Sequence, residues 1–226
     1  MPNDTVIKRI QLHHFADASS EAYGTASYVR VTDVHDKVTV AFVFGKSRLA
    51  PVKAVSIPRL ELKAAVMATN IDEMLRKELK MKIATSVFWS DSMAVLGYIR
   101  NRDKKFEVFV ANRLSKIHES TTVGQWNHVP TDQNPADDAS RGIKSKALQG
   151  RWLNGPKFLL KDESEWPSST ECTVTNRCNP TIEASRDCRD AQENDRPSKY
   201  PQNENEARKL YRHSRVENIA SKHQQD

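Results

Sequence analysis

The feature that most limits how this chain can fold is a change of hydrophobic period at Pro58. Ahead of it apolar and polar residues alternate, as in strands; behind it apolar residues recur at helical spacing. IQLHHFA (10–16) reads as a strand ending at Asp17, with His13, Phe15 and Asp17 on one side. DASSEAYG (17–24) reads as a turn punctuated by Gly24. YGTASYVRV (23–31) and VTVAFVFG (38–45) read as second and third strands around a short turn at His35-Asp36-Lys37, and such short connections favour an antiparallel meander. After Pro58, RLELKAAVMATNIDEMLRKEL (59–79) puts Leu60, Ala64, Met67, Ile71, Met74 or Leu75, and Leu79 on one stripe. Pro58 suits a first helical turn, where its missing N–H costs nothing, and Glu61 is expected in that turn on the flank of the stripe.

The remaining elements follow in the same way. IATSVFWS (83–90) is a fourth strand ending at Asp91, and MAVLGYIR (93–100) is a helix. FEVFVANRLSKIH (106–118) is a further helix, with Phe106, Phe109 or Val110, and Ile117 on its buried side. VGQWNHV (123–129) is a fifth strand, and NPADDASRG (134–142) is a turn and a short helix stopped by Gly142. The order β-β-β-α-β-α-α-β-α predicts an α/β (α+β) fold, a five-stranded mixed sheet flanked by helices. It allows the first strand to lie centrally beside the fourth, which would bring Asp17 and Asp91 together. Local pattern does not determine that neighbourhood.

Composition divides the chain at residue 168. All 4 Trp and all 7 Phe precede it. Residues 168–226 hold 10 Lys/Arg and 10 Asp/Glu, so the net charge of +6 resides entirely in residues 1–167. A basic balance suits a polyanionic partner. The tail has too few apolar residues to offset the entropy of ordering it and is expected to be disordered. Its Cys172, Cys178 and Cys188 form no CxxC pair and imply neither a zinc site nor a disulfide framework. No apolar run approaches the roughly 18 residues of a membrane span, so a soluble intracellular protein is expected. The expected division is a domain over 10–147, an extension over 148–167 packed on it or linking from it, and the tail over 168–226.

Asp17, Glu61, Asp91 and Asp137 each stand at an element's end, and packing requires none of them there. Four converging carboxylates would repel and raise one another's pKa, and hard divalent cations relieve that repulsion. FADAS (15–19) with Tyr23-Gly24, PRLELKAA (58–65), FWSDS (88–92) and NPADDASRG (134–142) resemble the four motifs of type 1 ribonuclease H. The closer resemblance, over about residues 10–167, is to the ribonuclease H region of BEL/Pao-class retrotransposon polyproteins. It is carried by IPRLEL (57–62), VANR (110–113), WNHVPTDQNPADDASRG (126–142), RWLNGPKFLL (151–160) and Glu165-Trp166-Pro167.

The resemblance implies a metal-dependent endonuclease that hydrolyses the RNA strand of RNA–DNA hybrids. It implies two Mg²⁺ ions, or Mn²⁺, held by Asp17, Glu61, Asp91 and Asp137, with Asp17 bridging both ions and Asp137 beside the attacking water. Asp137 is taken over Asp138 because it occupies the acidic position of NPAD; spacing does not separate the two. Ser19, Asn70 and Ser92 are candidates for reading 2′-hydroxyls, Asn70 being placed one or two helical turns beyond Glu61. Arg100, Arg102, Lys104 and Lys105 are the densest candidate phosphate track; Lys46, Arg48, Lys53, Arg113 and Lys116 extend it. Many type 1 enzymes carry a mobile histidine before the last aspartate; here Pro130-Thr131-Asp132-Gln133 fills that loop, and His128 is expected to be structural, like the strand residues His13 and His14. Two other readings remain: an inactive nucleic-acid-binding remnant, and an integrase or transposase, disfavoured because Glu stands second and Asp last. With no Tyr-x-Asp-Asp and no Asp-Thr-Gly, the chain is expected to be a Pol polyprotein fragment partnered by reverse transcriptase and integrase regions. Its expected location is the cytoplasm, with a virus-like particle or the nucleus as alternatives.

Overall fold

The computed structural model describes residues 6–142 and 148–167. The expected tail over 168–226, with its three cysteines, lies outside the described residues, as does the connection 143–147. Three long strands open the chain: β1 (Ile7–Ala18), β2 (Ala22–Asp33) and β3 (Val38–Leu49). They pair antiparallel in sequence. The β1–β2 turn is only Ser19–Glu21. Ser19 closes it, its N–H donating to Ala22 O at 2.8 Å and its Oγ accepting from the N–H groups of Glu21 and Ala22 at 3.2 Å. At the other end Asp33 accepts from the N–H groups of His35 and Lys37 at 2.8 and 2.9 Å, and Asp36 takes the left-handed conformation at φ 59°.

Helix α1 (Ile57–Glu78) then carries the chain back across the sheet, so that β4 (Thr85–Ser90) runs parallel to β1. Helices α2 (Met93–Arg100) and α3 (Val108–Ser120) make a second crossover to β5 (Trp126–His128), parallel to β4. Helix α4 (Ala136–Arg141) closes the sequence of elements, and Gly142 at φ 86° ends it. The strand order is β3-β2-β1-β4-β5. The mixed five-stranded sheet is as expected, and β1 lies beside β4, which local pattern had only allowed.

Several expectations are corrected. Gly24 does not punctuate a turn; it sits inside β2, paired with Asp17. A Cβ there would meet Ala139 Cβ at 2.7 Å and Lys46 O at 2.9 Å, so its lack of a side chain is what lets α4 approach the sheet. Gly24→Ala is therefore expected to cost about 1–3 kcal/mol, the usual penalty of overpacking. Urea titration should show this, with partial recovery on adding Ala139→Gly; an unchanged midpoint for Gly24→Ala would refute the account. Glu61 is not in the first turn of α1, which begins at Ile57 and holds no acid there. The fifth strand is three residues long, because Val123–Gln125 form a 3-10 turn ahead of it. Phe106 precedes α3 and packs edge-on against Tyr98 at 5.3 Å, while Val110, Leu114 and Ile117 form the buried face.

The sheet is covered on both sides. On one, the expected stripe of α1 packs Leu60, Ala64, Ile71 and Leu75 against Leu12, Val29 and Phe88. Buried in this layer, His14 lies between Ser27 Oγ at 2.9 Å and Asp72 at 3.0 Å. Burial alone would raise the Asp72 pKa; hydrogen bonds and charge from His14, Ser86 and Arg76 outweigh it and hold the carboxyl below its usual range. The other side is covered by residues 148–167. Phe158 and Leu159 join Phe15, Tyr28, Trp89 and Val129 in a second core, with Trp152 and Trp166 at its edge. Gly45 leaves the space that Trp152 fills, its missing Cβ lying 2.7 Å from that ring. Arg30, 4% exposed, donates to Leu159 O at 2.8 Å and Lys161 O at 3.0 Å. His13 is buried in this layer, accepts from Trp89 Nε1 at 3.2 Å and has its pKa lowered by burial first, then by Arg30. Both histidines are thus core residues, as expected.

Candidate active site

The topology gathers acids at one end of the sheet. Parallel pairing aligns Ala16 of β1 with Ser90 of β4. The next residues, Asp17 and Asp91, therefore stand side by side, and alternation turns both toward the face carrying α4. Asp17 is 6% exposed, and Ser140 Oγ of α4 donates to its Oδ2. Its pKa is pushed up to about 7, mainly by burial, which the Ser140 hydrogen bond opposes and the charges of Asp91 and Asp137 reinforce. Glu61 reaches the same rim from α1; its Oε2 accepts from Ser92 Oγ at 2.5 Å. Burial raises its pKa, Ser92 counteracts this and Asp91 adds to it.

Of the two adjacent acids on α4, Asp137 is the one whose charge acts on Asp17. Asp138 turns the other way, toward Tyr28 and Arg151. The two neighbours thus have different surroundings. Asp137 is itself engaged by Arg141 Nε at 2.6 Å. As the side chains are disposed, no three His, Cys, Asp or Glu residues among those described stand close enough to hold one metal ion.

Two residues of the rim had not been singled out. Asn134 Nδ2 donates to Ala16 O at 3.2 Å and Asp91 Oδ1 at 3.3 Å, while its Oδ1 accepts from Ala136 N–H at 3.1 Å. It ties both central strands to the start of α4. Ser140 ties the end of α4 to Asp17 and also accepts no spare role: its backbone O receives Ser19 Oγ at 2.7 Å. Both lie in NPADDASRG, so the motif held the signal, but only their buried positions reveal what they do.

The other candidates fall in different places. Ser19 spends its hydroxyl on the β1–β2 turn and on Ser140 O. Ser92 caps α2, accepting from Val95 N–H at 3.3 Å, and touches Glu61. Asn70 is exposed on α1, nine residues past Glu61. That is two and a half turns rather than one or two, and it puts Asn70 on the opposite side of the helix. Arg100 ends α2 and Arg102, Lys104 and Lys105 follow it, all four exposed and roughly 12 Å of helix away from the rim. His128 is half-buried and lines a groove of about 1050 Å³ between the β5–α4 connection and residues 150–167, also bordered by Arg151, Lys157 and Trp166. None of the four acids lines that groove.

A central β1 flanked by antiparallel β2 and parallel β4, in the strand order β3-β2-β1-β4-β5 with helices against the sheet, defines a ribonuclease H-like fold. Residues 2–92 match the model of the Pao retrotransposon-like RNaseH-like domain. The match takes in Asp17, Glu61 and Asp91 and stops short of α4. Among solved structures, LC11-RNase H1 in complex with an RNA/DNA hybrid is similar at 16% identity and a TM-score of 0.40, covering 62% of this chain and 100% of that one. RNase H1 from the archaeon Halobacterium salinarum NRC-1 is similar at 13% identity and a TM-score of 0.39, covering 59% of this chain and 95% of that one. The N-terminal RNase H domain of rv2228c from Mycobacterium tuberculosis is similar at 12% identity and a TM-score of 0.39, covering 62% and 97%. Likeness at this level carries no chemistry over to this chain. No curated protein matches it.

Proposed function

We propose that this domain is a divalent-cation-dependent endonuclease that hydrolyses the RNA strand of an RNA–DNA hybrid, and that it derives from a retrotransposon Pol polyprotein. The observation that carries the reading is Asp17: a buried carboxyl on the central strand, facing two further acids, with its pKa pushed up to about 7. Such a group is costly to the fold and useful where a cation is to be bound. The family match over Asp17, Glu61 and Asp91 supports the same reading.

The donor set fits hard divalent ions in kind: Asp17, Glu61, Asp91 and Asp137 supply oxygen ligands only. Holding an ion requires small rotations, of Glu61 away from Ser92 and of Asp137 away from Arg141, whose side chain is 65% exposed and free to swing. When bound, the ions would supply an activated water and charge stabilisation at the departing 3′ oxygen. The chain's own contribution is placement. Asn134 holds Asp91 against β1, Ser140 holds Asp17 against α4, and the buried sheet beneath keeps both strand ends rigid. The exposed cations Arg100, Arg102, Lys104 and Lys105 would contact phosphates at a distance from the cut, giving affinity that falls with salt. Reverse transcriptase and integrase regions are the proposed neighbours in the parent polyprotein.

The test is direct. Purified protein with Mg²⁺ or Mn²⁺ should cleave the RNA strand of a labelled hybrid and spare duplex DNA. Failure with both ions, in protein shown to be folded by circular dichroism, would sink the enzymatic reading. Salt-sensitive hybrid binding in that failed case would favour a non-catalytic binding domain, consistent with the present pairing of Asp137 with Arg141.

A further inference from the structure

Helix α4 is only six residues long and begins outside the span matched by the family model, yet it carries the acid that acts on Asp17. A helix so short cannot hold its own position. Asn134 and Ser140 secure its two ends against β1. Its outward flank is secured by a residue from beyond the connection 143–147. Arg151 grips Asp138 with two nitrogens, Nε at 3.3 Å and NH2 at 3.1 Å, and its NH1 donates to Asp132 O at 2.7 Å in the turn before α4. The same NH2 stands 3.9 Å from Asp137, too far for a hydrogen bond. The backbone that carries Arg151 is anchored in turn: Tyr28 Oη, from β2, donates to the backbone O of Trp152 at 2.7 Å and lies 3.3 Å from that of Arg151.

From this geometry we infer that Arg151 is a positioning residue for the active centre: it holds α4 through Asp138 and Asp132 so that Asp137 faces Asp17. The segment 148–167 is thereby a working part of the site and not only a cover for the sheet. The inference rests on the metal-dependent nuclease reading above. It gives Asp138 a role as well, as the handle by which the helix is held while its neighbour is left for the ion.

Charge and positioning make opposite forecasts here. If Arg151 acted only as a cation near Asp137, removing it would tighten divalent-ion binding, and lysine would substitute for it. If it acts by its planar two-point grip, both Arg151→Ala and Arg151→Lys should weaken ion binding, because lysine keeps the charge and loses the fork. Loss of a group that orients a metal ligand commonly costs about tenfold or more in affinity.

The experiment titrates Mn²⁺ into full-length wild type, Arg151→Ala, Arg151→Lys and Asp138→Asn, following free Mn²⁺ by electron paramagnetic resonance. In parallel, kcat and KM are measured on the hybrid. Expected are a dissociation constant raised about tenfold in both arginine variants and a similar rise in Asp138→Asn. Combining Arg151→Ala with Asp138→Asn should add little. The fall in kcat should come with an unchanged KM for hybrid, since phosphate contacts lie elsewhere. Tighter binding in Arg151→Ala, wild-type behaviour of Arg151→Lys, or full additivity with Asp138→Asn would overturn the inference. If Arg151→Ala does not fold, Arg151→Lys and Asp138→Asn decide the question by themselves. Wild type that neither binds Mn²⁺ nor cleaves would instead overturn the nuclease reading, which keeps the two failures apart.

Discussion

Asp17→Asn is expected to abolish hybrid cleavage and, without divalent cation at pH 8, to raise the thermal midpoint of the fold. The two effects share one cause. The Asp17 carboxyl sits 6% exposed among other acids, and its pKa moves from 3.8 to about 7 on folding. An acid whose pKa is raised in the folded state binds protons better there than in the unfolded chain. Its destabilising effect is nil below pH 3.8, grows as pH rises toward 7, and is then constant. The displacement corresponds to on the order of 4 kcal/mol at most. Asparagine keeps the shape and can still accept the Ser140 hydroxyl, so most of that penalty should vanish. The gain should amount to several degrees at pH 8 and shrink toward zero near pH 4, measured by differential scanning calorimetry. Adding Mg²⁺ should stabilise the wild type and not the variant, because the cation offsets a charge that only the wild type has. A variant less stable than wild type at pH 8, or a difference independent of pH, would contradict the assignment of Asp17 as a strained carboxyl kept for its chemistry.

Ending the chain at residue 147 should prevent stable folding, whereas ending it at Pro167 should leave the domain intact. Residues 148–167 bury Phe158 and Leu159 against Phe15, Tyr28 and Trp89. Each fully buried side chain of this kind is worth about 1.5–3 kcal/mol. Their loss would also strip Arg30 of two carbonyl acceptors, leaving a guanidinium that is 4% exposed on a bared apolar face. Losing the partners of a buried charge typically costs about 3–5 kcal/mol. Together these equal the whole stability of an ordinary domain, about 5–15 kcal/mol. The shorter chain should be insoluble or bind the dye ANS, and the longer one should melt cooperatively. Cooperative melting of both would show that the sheet's second face does not need this cover.

The elements themselves were legible because each is governed by neighbours in sequence. The stripe Leu60, Ala64, Met67, Ile71 and Leu75 could only be the buried face of a helix, and it is. The strands β1 to β3 outran their expected ends because pairing continues past the last apolar residue: Lys46, Ser47 and Arg48 stay in β3, in register with Thr25, Gly24 and Tyr23. Gly24 was misread because a glycine closing the polar run that begins at Asp17 and includes Ser19 and Ser20 looks like the end of a turn from sequence. The real demand on it comes from Ala139, more than a hundred residues away. Asn70 was misplaced by miscounting helical rotation, an error sequence geometry alone could have prevented. Asp137 and Asp138 were inseparable by spacing, since adjacent helical residues differ only by a rotation about the axis; in the structure Arg151 grips Asp138, and it is the charge of Asp137 that acts on Asp17.

The sequence by itself determined which element carries each acid, because apolar periodicity marks the elements out; for Glu61 it did not give the place along the helix. Tertiary structure alone decided that those elements meet. The parallel registration of β1 with β4, the close approach of α4 at Gly24, and the return of residues 148–167 with Arg151 are contacts between segments far apart in the chain. No local preference encodes them; they follow from burying two faces of one sheet at once. Asp17 owes its raised pKa to that burial first and to the neighbours it brings.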